Sequence, residues 1–243
     1  MSVESHFHTP PQEAARDVFA RILKLTDFQV VGRDRLAFLE ETGRSAIFAF
    51  FPHTGHLDSP AVRKAVPPNL RGKLLYPAAA DYWHKDGVRG RVKAFMSSLV
   101  VPNFPMYRYE AGIKGMQESL DQAAEFLRSG YSLVASPEGT RSDLPLQERQ
   151  LRTGVAELAL MTRKPIIPVG LIGMEQILPR GRIIPSFRED GVKRSVRVVF
   201  GEAINLDTHD LTGERRNLRR EISAQLKADL VNLCTDVRTG LGS

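Results

Sequence analysis

The run Ser45-Ala46-Ile47-Phe48-Ala49-Phe50-Phe51 is apolar almost from end to end. A strand with one wet face alternates polar and apolar residues, whereas an unbroken apolar run suits a strand covered on both faces. Short runs of this kind recur at Phe28–Gly32, Lys73–Tyr76, Ser132–Ala135 and Val196–Phe200. Ile166–Ile172 is another, with an interruption expected at Pro168, and Leu99–Pro102 reads as a further strand end. Between them lie helical periodicities. Pro11–Leu25 comes first, then a helix from Asp58 that stops before Pro67-Pro68, then a short one over Arg91–Ser98. Ile113, Met116, Leu120, Ala124 and Leu127 share one face of the next, which Gly130 ends. Gly154–Thr162 follows, and a last helix carries Leu218, Ile222, Leu226, Leu230 and Leu233 on one stripe. Strands alternating with helices predict an α/β fold with a mostly parallel central sheet covered by helices, flanked by amphipathic helices at both ends.

A chain of 243 residues, 42% hydrophobic, can bury a sizeable core, and no Pro/Gly/Ser-rich linker divides it. The expected division is a helical segment over 1–27 and one domain over 28–243. In the first segment Arg16, Arg21 and Lys24 interleave with the apolar residues. Packing on the domain is the ordinary fate of such a helix, and docking on a membrane surface is the alternative. The acid-bearing first residues do not read as a signal peptide, and no window approaches a membrane span. Cys234 is the sole cysteine, which leaves no intramolecular disulfide and points to a reducing compartment. The net charge of +6 suits anionic partners (nucleic acid, phosphorylated metabolites or anionic lipid) without choosing among them.

Pro52 ends the Ser45–Phe51 strand because it lacks a ladder donor, so His53 falls at a strand's carboxyl end, where open α/β sheets place their chemistry. Asp58 follows five positions later, at a helix start with Pro60 in its first turn. An aspartate so placed can hold one imidazole nitrogen and leave the other free to take a proton. His53, His56 and Asp58 could instead ligate a metal, but His6, His8, His84 and His209 offer no acid-rich context to complete a site. Ser136-Pro137-Glu138-Gly139-Thr140-Arg141-Ser142 directly follows another buried strand and so reaches the same sheet edge. Gly139 permits close backbone approach, while Thr140, Arg141 and Ser142 offer donors to a phosphate. Arg108 follows a further strand end and could add a guanidinium, and Arg152-Thr153-Gly154 could open a helix toward the site. Lys93 and Lys164 read as surface charge, and Tyr82, Trp83 and His84 as core or pocket lining.

Four blocks therefore stand in order: His53 to Asp58, Phe104 to Arg108, Pro137 to Ser142, and Lys164 to Val169. Together they resemble the glycerolipid acyltransferases of the lysophosphatidic acid acyltransferase type, over about Phe28 to Leu206. That family carries a His-x4-Asp motif, a strand-end arginine, a Pro-Glu-Gly-Thr-Arg-Ser loop and a Pro-Ile-x-Pro-Val strand. Pro52 stands where the family usually has asparagine, and Gly55 where serine or threonine is frequent. The resemblance implies fatty acyl transfer from a thioester, acyl-coenzyme A or acyl carrier protein, to a lysophospholipid hydroxyl, without cofactor or metal. It makes His53 and Asp58 catalytic, and Arg108, Glu138, Gly139, Thr140 and Arg141 the residues that bind the acceptor's phosphate-bearing head. It further implies a cytoplasmic protein, peripheral on the inner face of the membrane, with no nucleic acid partner. An acceptor such as a lyso-ornithine lipid, or a lipid-surface binding protein without turnover, is the competing expectation.

Overall fold

Ile47–Phe51 forms a strand in which no residue is more than 3% exposed. Its pleat sends Phe48 and Phe50 into one apolar layer and Ile47, Ala49 and Phe51 into a second, on the opposite face of the sheet. The computed structural model describes residues 7–79, 100–107, 112–178, 182, 184–206 and 213–239. In chain order the principal elements are α1 (Pro10–Ala20), β1 (Asp27–Val31), β2 (Ile47–Phe51), α2 (Asp58–Ala65), β3 (Leu74–Ala79), β4 (Asn103–Met106), α3 (Gly112–Arg128) and β5 (Ser132–Ala135). Then come α4 (Gly154–Thr162), β6 (Ile166–Ile172), a small hairpin of β7 (Arg188–Glu189) and β8 (Val192–Lys193), β9 (Ser195–Phe200) and α5 (Arg215–Thr239).

The seven-stranded sheet runs β1-β9-β6-β2-β5-β3-β4, parallel throughout except between β6 and β9. β2 is central, with Ala49 opposite Ala135 of β5 and Pro168 of β6. From β2 the chain leaves through α2, whose Ala61, Val62 and Ala65 pack in the layer of Phe48 and Phe50. From β5 it leaves through α4, whose Val155, Ala156 and Ala159 pack on the other face with Phe51 and with Ile222, Leu226 and Leu230 of α5. Adjacent strands whose continuations part to opposite faces leave a crevice at their carboxyl ends. The loops after β2 and β5 meet there.

Two elements differ from expectation. The strand expected to end at Leu99–Pro102 lies instead at Asn103–Met106, where the sheet's edge position tolerates Pro105. β6 runs unbroken through Pro168. The even-numbered residues there face away from β2, and at that level the Pro168 carbonyl accepts the Gly201 N–H (2.8 Å) just past the end of β9. The missing proline donor falls where the ladder stops. α1 packs on the domain: Glu13 and Asp17 both receive Arg63 of α2, at 2.6 and 3.1 Å, and Arg16, 1% exposed, donates to Glu13 and the Phe7 carbonyl. The helix expected over Arg91–Ser98 lies outside the described residues.

Candidate active site

The turn after β2 is built around one carboxylate. Asp58 is fully buried, and its Oδ2 accepts three N–H donors: His53 Nδ1 (2.8 Å), the Thr54 amide (2.7 Å) and the Gly55 amide (2.9 Å). Its Oδ1 accepts the Thr54 hydroxyl at 3.3 Å. Asp58 also opens α2, where the unpaired amides of a first turn favour negative charge. Because a carboxylate only accepts, Nδ1 must carry a proton, which in the neutral ring leaves the lone pair on Nε2. Phe50 meets the imidazole edge-on with ring centroids 5.3 Å apart, and the ring is 23% exposed. The turn has no room for a larger residue at Gly55, where a Cβ would stand 2.7 Å from the Leu178 carbonyl.

The Ser136–Ser142 loop is stitched to this turn through the main chain of His53. Glu138 Oε2 accepts the His53 amide at 2.6 Å, and the Ser142 amide donates to the His53 carbonyl at 3.2 Å. Glu138 Oε1 accepts Arg149 Nη1 at 3.1 Å, and Arg149 Nε donates to the Leu144 carbonyl at 2.7 Å. Both partners are 5% exposed. Burial pushes the Glu138 carboxyl above its ordinary range, against the opposing pull of the His53 amide and Arg149. Expected beside a substrate head, Glu138 stands with both oxygens turned to protein donors. Gly139 adopts the left-handed backbone (φ 71°) that glycine accepts without strain, and Gly139 and Thr140 are exposed.

Arg141 Nη1 lies 2.7 Å from His56 Nε2, which must accept and therefore be unprotonated. Burial, then the Arg141 charge, lower the His56 pKa and favour that neutral form. Among the described residues no group of three or more His, Cys, Asp or Glu is arranged to hold an ion. Arg152, exposed, passes beside Gly139 just before α4 begins. Arg108 lies outside the described residues, as do Tyr82, Trp83, His84 and Lys93. The arrangement thus offers an oriented base, with a bend carrying a hydroxyl and a guanidinium at the same sheet edge. Arg149 was not legible as a site residue, since a lone arginine in a polar loop carries no motif. The pairing of Arg141 with His56 depends on two loops 85 residues apart.

A family model described as acyltransferase matches residues 42–172, more than half of the chain and the span that holds both loops. A curated relative from Mycoplasma pneumoniae, a probable 1-acyl-sn-glycerol-3-phosphate acyltransferase, is 29% identical over 115 residues, 46% of this chain. The match takes in 43% of that relative, so the chain spans a little under half its length. The crystal structure of the 1-acyl-sn-glycerophosphate (LPA) acyltransferase PlsC from Thermotoga maritima aligns over 93% of this chain and 86% of that one, with TM-score 0.55 and 19% identity. That likeness is one of fold, and the family match supplies the rest: the chain belongs to the acyltransferase family.

Proposed function

We propose that the protein moves a fatty acyl group from a thioester, acyl-coenzyme A or acyl carrier protein, to the hydroxyl of a lysophospholipid such as 1-acylglycerol-3-phosphate. The observation that carries this is the His53 ring, held at Nδ1 by a fully buried carboxylate with Nε2 left to accept. As the acceptor oxygen attacks the thioester carbonyl, Nε2 takes the hydroxyl proton, and Asp58 stabilises the imidazolium. The tetrahedral adduct then expels the thiolate, which recovers the proton from His53. Base assistance of this kind contributes about 100- to 10,000-fold, and holding both substrates in one crevice adds more.

Thr140, Arg141 and Arg152 flank the bend that would receive the acceptor's phosphate, with Arg108 as a further candidate. Glu138 serves by fixing the backbone from which His53 projects. No helix among the described residues is long and apolar enough to cross a membrane. Thiol release from acyl-coenzyme A, measured against a panel of lysolipids, tests the proposal. It expects release to rise with a glycerophosphate-type acceptor and His53→Ala to abolish that rise. Release that no acceptor stimulates, or that survives His53→Ala, would refute it.

A further inference from the structure

β1 and β9 run against the other five strands, so their N-terminal ends reach the edge that carries His53. The register traces this directly: Phe51 faces Gly170, Ile172 faces Arg197, and Ser195 faces Asp27. Two segments enter the sheet at that corner. One is the helical turn Arg21–Leu25 that extends α1, and the other is the β7–β8 hairpin. The hairpin turns through Asp190 and Gly191, both at positive φ (48° and 80°). Lys193 Nζ donates to the Lys24 carbonyl at 3.1 Å, and the Asp27 amide to the Arg194 carbonyl at 2.9 Å, which locks the two segments together. The chain leading into the hairpin is tied back to the dyad. Ser186 donates to the Ile177 carbonyl, and the neighbouring Leu178 carbonyl abuts Gly55.

This corner exposes aliphatic side chains that a folded surface ordinarily covers. Ile184 is 80% exposed, Val192 71% and Leu25 51%, with Val18 at 62% two helical turns before Leu25. Arg21, Lys24, Arg182 and Lys193 are exposed among them. The local acids among the described residues are Asp17, Asp27, Glu189 and Asp190, of which Asp17 is paired with Arg63 at 3.1 Å and Glu189 with Arg194 at 3.3 Å. Resting on acyl transfer to a lipid acceptor as proposed above, we propose that this corner docks on the headgroup layer of an anionic bilayer, with the dyad edge turned toward the lipid. Isolated aliphatic tips on separate turns, ringed by basic side chains, suit a fluid charged surface. A protein partner calls instead for a continuous patch with aromatic or arginine anchors seated in pockets.

The test compares sedimentation with phosphatidylcholine vesicles, with and without phosphatidylglycerol, for the wild type, Ile184→Asp/Val192→Asp and Arg21→Glu/Lys24→Glu. The substituted side chains are exposed, so the fold should persist. Each double variant is expected to lose about tenfold or more in affinity for anionic vesicles, and similarly in turnover of a long-chain acceptor embedded in them. Turnover of a water-soluble short-chain lysophospholipid should stay within about twofold of wild type. Undiminished vesicle binding by the variants would overturn the proposal. So would a loss confined to acyl carrier protein as donor, which would assign the corner to that acidic protein, or a dimer that the variants dissociate. If the wild type transfers no acyl group to any acceptor, the reaction is wrong while the sedimentation result still judges the surface.

Discussion

Asp58→Asn isolates the charge of the dyad from its geometry. In a serine-protease triad the same change costs about 10,000-fold, because the amide can force the histidine into the wrong tautomer. Here that flip is blocked. Oδ2 receives the Thr54 and Gly55 amides as well as His53 Nδ1, so turning the NH2 group to that position would set it against two fixed backbone donors. The carboxamide oxygen must therefore occupy the Oδ2 position, and its NH2 faces the Thr54 hydroxyl, which can accept. Nδ1 keeps its proton, and only the carboxylate charge beside the developing imidazolium is lost. Unit charges about 4 Å apart at an effective dielectric near 20 attract by about 4 kcal/mol. A neutral hydrogen bond retains about 1 kcal/mol of that. The remaining ~3 kcal/mol predicts a fall in kcat of roughly a hundredfold, with KM for both substrates little changed. Thiol release at saturating donor and acceptor measures it. A loss matching His53→Ala, or one below about tenfold, would refute the argument.

Arg149→Met leaves Glu138 buried with one oxygen unpartnered and should cost about 3–5 kcal/mol in denaturant unfolding, while Arg149→Met/Glu138→Gln should recover a large part. Gly55→Ala drives a Cβ to 2.7 Å from the Leu178 carbonyl and should cost about 1–3 kcal/mol, read as a lower melting temperature. Glu13 shows how α1 is held. Burial raises its pKa, but the His8 hydrogen bond and the Arg63 and Arg16 charges more than reverse this, lowering it from 4.5 to about 2. A depressed carboxylate stabilises the fold above its unfolded pKa and ceases to as pH falls through the folded one. Glu13→Gln should therefore cost about 1–2 kcal/mol at pH 7 after discounting for partial exposure, with the deficit closing between about pH 4.5 and 2 in pH-dependent melts.

The two site loops were legible because their chemistry is carried by local spacing: a histidine and an aspartate across one turn, and a glycine-bearing bend after a buried strand. β5 and α4 were legible end to end, and β6 at both its ends, since apolar stretches bounded by Pro, Gly or polar residues leave little choice of boundary. Pro168 misled because its missing N–H falls just past the end of the β6–β9 ladder, where its carbonyl still accepts the Gly201 N–H. The Asp190-Gly191 pair is a strong hairpin signal, but two-residue strands give it no apolar alternation to stand on. Arg149 and the His56–Arg141 contact arise only when loops distant in sequence meet, so no local pattern announces them.

The clasp of Glu138 and Ser142 on the two peptide groups of His53 has a consequence for anyone recombining this chain with its relatives. The segments are 85 positions apart and invite separate exchange. Transplanting residues 136–142 alone would install a foreign footing beneath the imidazole, and moving 52–58 alone would strand the glutamate that supports it. Recombinants should keep both segments, and Arg149 with them, from a single parent.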